Sequence, residues 1–110
     1  MSTFGLFVPE GNEQKGDLHV DGGIRIEGSF HGSITCEETF TLGSKGVFTG
    51  SIECLNAHIM GSFHGNLRVF NECVIYKTAQ FQGLLDACIV QVDKGSQFKG
   101  EIFISGGQSS

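Results

Sequence analysis

Apolar side chains recur along this chain in steps of two. Leu18 and Val20, then Ile24 and Ile26, are separated by single residues, with Asp17, His19, Asp21, Arg25 and Glu27 between and around them. From Phe30 the same alternation runs through Gly32, Ile34 and Cys36, then Phe40 and Leu42. A period of two over short runs predicts half-buried β-strands. The phrase Ser29-Phe30-His31-Gly32-Ser33-Ile34 then returns as Val47-Phe48-Thr49-Gly50-Ser51-Ile52 and as Ser62-Phe63-His64-Gly65-Asn66-Leu67. Two further copies follow, Gln80-Phe81-Gln82-Gly83-Leu84-Leu85 and Gln97-Phe98-Lys99-Gly100-Glu101-Ile102, and the five glycines are spaced by 18, 15, 18 and 17 residues. Self-similarity at such a period predicts stacked units, none of which can bury its apolar side alone.

Superposed, the copies form columns. Phe30, Phe48, Phe63, Phe81 and Phe98 make a core ladder of rings. Leu18, Ile34, Ile52, Leu67, Leu85 and Ile102 make a second column, and Val20, Cys36, Cys54, Val69, Ala87 and Ile104 a third. Ile24, Phe40, Ala57, Cys73 and Val90 form a fourth, and Ile26, Leu42, Ile59, Ile75 and Val92 a fifth. Helical repeats need periods above about 30 residues, and the leucine-rich consensus is missing. The pattern therefore predicts an all-β chain, a single-stranded parallel β-helix (β-solenoid) of about six coils, each of three short strands around a triangular hydrophobic core. Coils about 4.8 Å apart would make a rod about 29 Å long. Each buried Phe contributes about 1.5–3 kcal/mol, so the ladder supplies much of the stability.

The solenoid is expected to span residues 17–104. Residues 1–16 are expected to form a flexible tail with an apolar segment at 4–8, and residues 105–110 a short disordered tail. The stretch Glu10-Gly11-Asn12-Glu13-Gln14-Lys15-Gly16 is polar and turn-rich, a composition that buries too little surface to order itself.

With the repeat laid out, the chain resembles the bactofilins, bacterial cytoskeletal proteins. The resemblance rests on five copies of Phe-x-Gly-x-Ile/Leu near a 17-residue spacing and covers residues from about 17 to 104. It implies a right-handed β-helix that polymerises end to end into filaments without nucleotide. It also implies attachment to the inner face of the cytoplasmic membrane and a scaffolding role in cell shape or the localisation of cell-wall-modifying enzymes. The apolar residues Phe4, Leu6, Phe7 and Val8 resemble the short segments through which bactofilins contact membranes. Family members often carry Pro-rich tails, whereas the only proline here is Pro9.

Composition narrows the alternatives. A net charge of −5 disfavours nucleic acid, which requires a basic face. No apolar run approaches the roughly 18 residues that cross a bilayer. Met1 to Pro9 lacks the basic start and long apolar core of a secretory signal, so the thiols are expected to be reduced, in the cytoplasm. Cys36, Cys54 and Cys73 fall in apolar columns, which predicts buried fillers, and no CxxC spacing suggests zinc. His31 and His64 share a phrase position two coils apart, about 9–10 Å, so they cannot share a metal ion whose nitrogens lie at about 2.0–2.1 Å. A three-His carbonic anhydrase and a hexapeptide-repeat acyltransferase are both β-helices, but the four-residue Phe-to-Ile/Leu step breaks the hexad. No cofactor, metal site or catalytic residue is expected. The ends of the stack show no amphipathic cap, so self-association is expected through Leu18, Val20 and Ile24 at one end and Phe98, Ile102, Phe103 and Ile104 at the other. The competing reading is a discrete, capped solenoid acting as an oligomeric scaffold.

Overall fold

Each coil carries the glycine of its phrase at a positive φ, within an unbroken inward alternation. The structure, a computed structural model, describes residues 6–104. Its strands are β1 (Leu6–Val8), β2 (Glu13–Val20), β3 (Ile24–Ile26), β4 (Ser29–Cys36) and β5 (Thr39–Leu42). They continue with β6 (Val47–Ile59), β7 (Ser62–Ile75), β8 (Gln80–Ala87), β9 (Ile89–Val92) and β10 (Gln97–Ile104). Every pairing is parallel. The phrase strands stack in the order β2, β4, β6, β7, β8, β10, giving six coils. The other ladder runs β1, β3, β5, the second halves of β6 and β7, then β9.

The register reproduces the columns read from the sequence. Phe30, Phe48, Phe63, Phe81 and Phe98 are paired in turn, and their rings stack with centroids 4.9–5.5 Å apart. That distance is the strand spacing, so the ladder follows from the hydrogen bonding. Phe40 meets Phe48 edge-on at 5.9 Å. Its neighbour in the next coil is Ala57, whose small side chain leaves room for the ring. The core is dry and continuous, and among the described residues no polar or charged side chain is buried.

The corner glycine is a steric requirement. Gly50 has φ +134, and a Cβ built on it would overlap the carbonyl of Gly32 in the preceding coil. The same glycine stands in register in all six coils.

The solenoid begins before the boundary expected at residue 17. Leu6–Val8 pairs with Ile24–Ile26, and Glu13–Val20 pairs with Ser29–Cys36. Gln14-Lys15-Gly16-Asp17-Leu18 is thus a sixth copy of the phrase, with glutamine in place of phenylalanine. The amide of Leu6 donates to the Gly23 carbonyl at 3.1 Å, and that of Glu27 to Val8 at 2.7 Å. Residues 6–16 are ordered because the coil below supplies a strand edge, which outweighs their polar composition. Phe4 and residues 105–110 lie outside the described residues.

Candidate assembly interface

Two strand edges are left open, one at each end of the stack. Among the described residues, β1 and β2 pair only with the coil below them, and β9 and β10 only with the coil above. Such edges carry unpaired N–H and C=O groups that template further strands.

The two ends are chemically unequal. At the C-terminal end the columns finish in Val90, Val92, Phe98, Ile102 and Ile104. Ile102 is 39% exposed, Ile104 55% and Val92 47%, while Phe98 is half-buried beneath Phe81. At the N-terminal end the ring column stops at Gln14, which is exposed, and Leu18 is half-exposed. Val8 and Val20 are buried although they belong to the first coil. The C-terminal cross-section is the more open and the more apolar.

This places the expected interface residues unevenly. Leu18, Phe98, Ile102 and Ile104 lie on terminal coils with surface to offer. Ile24 does not: it sits between Leu6 and Phe40, is 3% exposed, and belongs to the second coil. Val20 is on a terminal coil but enclosed. Phe103 points outward from the last coil, to the side of the rod. In the segment expected to meet a membrane, Val8 is buried and Leu6 packs against the core. Phe7, between them on the outward alternation, is exposed. Leu6 and Val8 thus form the inward face of a strand.

Sequence reasoning put Leu18 and Val20 in the first coil and missed the start of that coil. Its signals were the Gly16-x-Leu18 step and the Leu6/Val8 pair standing 18 residues before Ile24/Ile26; Gln14 in the ring column and Pro9 between the strands concealed it.

The chemistry-bearing residues are mostly dispersed. His31 and His64 are exposed and separated in their row by Thr49. The Nδ1 of His58 lies 2.9 Å from the Tyr76 hydroxyl. The Nε2 of His19 lies 3.3 Å from Asp21 Oδ1 and 3.1 Å from Glu37 Oε2. These groups are exposed, an arrangement ordinary for a surface ion pair. Cys36, Cys54 and Cys73 are buried thiols, and Cys36 Sγ donates to the Gly22 carbonyl at 3.1 Å. Burial pushes Cys73 up to about 12 and Cys54 higher still, which makes both poor nucleophiles. No helix among the described residues is long and apolar enough to cross a membrane.

Comparisons with known proteins agree with this geometry. The family model Bactofilin, described as polymer-forming cytoskeletal, matches residues 6–102, including the first coil. Among solved structures, the cryo-EM reconstruction of Thermus thermophilus bactofilin double helical filaments is similar, at 28% identity and a TM-score of 0.81. The match covers 90% of this chain and 98% of that one. The comparison with curated proteins found no match.

Proposed function

The chain belongs to the bactofilin family of polymer-forming cytoskeletal proteins, and we propose that it builds filaments by stacking solenoids end to end. The observation that carries this reading is the open C-terminal coil, where Ile102, Ile104 and Val92 leave an apolar cross-section wet beside an unpaired strand edge. Covering it continues the sheets and the columns at once. These contacts use only backbone groups and apolar side chains, so growth is expected without nucleotide and without catalysis. The Thermus thermophilus relative was reconstructed as double helical filaments, and our reading extends that two-stranded form to this chain. Electron microscopy and light scattering in nucleotide-free buffer test the reading. Long filaments are expected; a monodisperse monomer at every concentration overturns it.

The burial of Val8 and Val20 favours a second reading, a particle closed at its N-terminal end that pairs only through its C-terminal coil. Light scattering would then report a dimer that grows no further.

We also infer a cytoplasmic location at the inner membrane face and a scaffolding role toward cell-wall-modifying enzymes, both resting on family membership. With Val8 and Leu6 committed to the core, membrane contact falls to Phe7 and the residues before it. One copy would bind feebly, whereas a filament arrays many copies and gains by avidity. Phe7→Ser is expected to lower co-sedimentation of filaments with anionic liposomes; unchanged binding removes Phe7 from that role.

A further inference from the structure

The outward positions of one face divide the rod into unlike halves. This face follows the corner glycine, along the second half of each phrase strand. In the first two coils its outward residues are Asp17, His19, Asp21 and then Ser33, Thr35, Glu37, a polar and largely acidic surface. From the third coil onward exposed apolar side chains join the polar ones of this face, Ser51, Glu53, Asn66, Arg68, Asp86 and Glu101. Leu55 is 42% exposed, Phe70 58%, Leu84 42% and Phe103 52%. Leu55 and Phe70 stand at the corner just after Cys54 and Val69, which pair with each other. Leu84 pairs with Asn66, and Phe103 pairs with Asp86, which pairs in turn with Arg68. The four apolar side chains therefore lie within three coil steps, about 14 Å. The Arg68 guanidinium rests 5.6 Å from the Phe70 ring centroid, lying along the patch as an amphipathic cover.

We propose that this patch is where a second strand of the same polymer packs, side against side, to make a two-stranded filament. The inference rests on the end-to-end reading above and adds the lateral surface to it. Two features select a second copy of this chain as the occupant. The patch is continuous with the stacking end, because Phe103 belongs to the last coil beside Ile102 and Ile104. Stacking repeats the patch once per subunit along one side of the rod, so two polymers meet through a regular row of contacts.

Size explains the order of events. Four half-exposed side chains per copy make a weak contact, below the roughly 1,000 Å² of a stable pair of proteins. Arrayed along a polymer, each contact makes the next intramolecular, and avidity holds the strands together. Lateral pairing therefore follows stacking, and monomers do not pair through this face.

Phe70→Ser and Leu84→Lys, separately and together, test the proposal away from the terminal coil. Circular dichroism and thermal melting verify that the exposed substitutions keep the fold. The expected result is long filaments with half the wild-type mass per unit length in scanning transmission microscopy. Thr41→Lys, on another face, is expected to leave the paired form unchanged. Paired filaments persisting in the folded Phe70→Ser/Leu84→Lys variant overturn the proposal, as do single-stranded filaments of the unaltered protein. A folded patch variant without filaments overturns it too, by placing the patch in the end contact. Loss of liposome binding while the paired form persists assigns the patch to a membrane instead. Absence of any filament from the unaltered protein removes the stacking reading itself, and the lateral contact with it.

Discussion

At the scale of single residues, the Phe ladder and the glycine corner demand opposite things of a side chain. Phe63 is wholly enclosed between Phe48 and Phe81, and no collapse of a hydrogen-bonded stack can refill its space. Phe63→Ala is expected to cost about 3–5 kcal/mol, read as a lower urea midpoint in a background kept from polymerising by Ile104→Arg. Phe98→Ala is expected to cost less there, because Phe98 is already partly exposed. The corner tolerates nothing larger than hydrogen. Gly50→Ala combines a disfavoured φ with overlap of the Gly32 carbonyl, a loss expected to exceed about 3 kcal/mol. At Gly16 an added Cβ meets nothing, since no coil lies beyond it. Gly16 shares the disfavoured φ, at +131, so Gly16→Ala is expected to lose stability but less than Gly50→Ala, while shortening filaments, as the methyl points toward whatever stacks on that end. Equal melting of the two variants would remove the carbonyl overlap as the cause.

The thiols carry a pH dependence at the same scale. Burial raises Cys54 and Cys73 above the ordinary value of 9.0, Cys73 to about 12. The folded chain therefore holds these protons more tightly than the unfolded one. Their stabilising contribution is complete below pH 9.0 and is lost as pH rises from there toward about 12. Melting temperature is expected to fall as pH rises from 9.0 toward about 12, with a shallower fall in Cys73→Ala. A flat profile in the parent would show the thiols to be solvated.

At the scale of elements, the terminal coils matter most because each lacks one neighbour. β10 is paired along its whole length with β8, so the strand persists when its outer edge is disturbed. Ile104→Arg places a charge in the open cross-section, costing several kcal/mol once a second copy desolvates it, about 3–5 by analogy with unpaired buried charges. In the isolated chain the guanidinium stays in water. The expected outcome is a folded, β-rich particle no larger than a small oligomer by light scattering. Long filaments of Ile104→Arg would falsify stacking through this coil. β1 shows the same logic from the other end: three residues gain order only because β3 offers them an edge.

At the scale of the whole molecule, a six-coil stack has much of its apolar surface near an end. Val92, Ile102 and Ile104 are solvent-exposed in the single chain, and polymerisation covers them without any new fold. Binding that involves only the native form stabilises it by mass action. The melting temperature of the parent is expected to rise with protein concentration, and that of Ile104→Arg to stay constant. Parallel rises in both would place the stabilising contact elsewhere, on the N-terminal coil.

Much of this architecture was legible in the chain itself. The period of two, the Phe-x-Gly-x-Ile/Leu phrase and its spacing near 17 residues determined the strands, their parallel stacking, the columns and the buried thiols. Those features repeat, and repetition lets each copy corroborate the next. The start of the first coil was concealed because Gln14 replaces a ring and polar residues surround it. Its order comes from the edge of β4, a partner that local composition does not reveal. Ile24 likewise moved from the end of the stack to its second layer once Leu6 was laid above it. Only the tertiary structure decided which apolar residues remain wet. Phe70, Leu84 and Phe103 occupy outward positions, where a single copy carries no repeat to expose the pattern. Inward positions are dictated coil by coil through packing, whereas outward ones answer to other molecules, and that difference sets the boundary of what the sequence alone could determine.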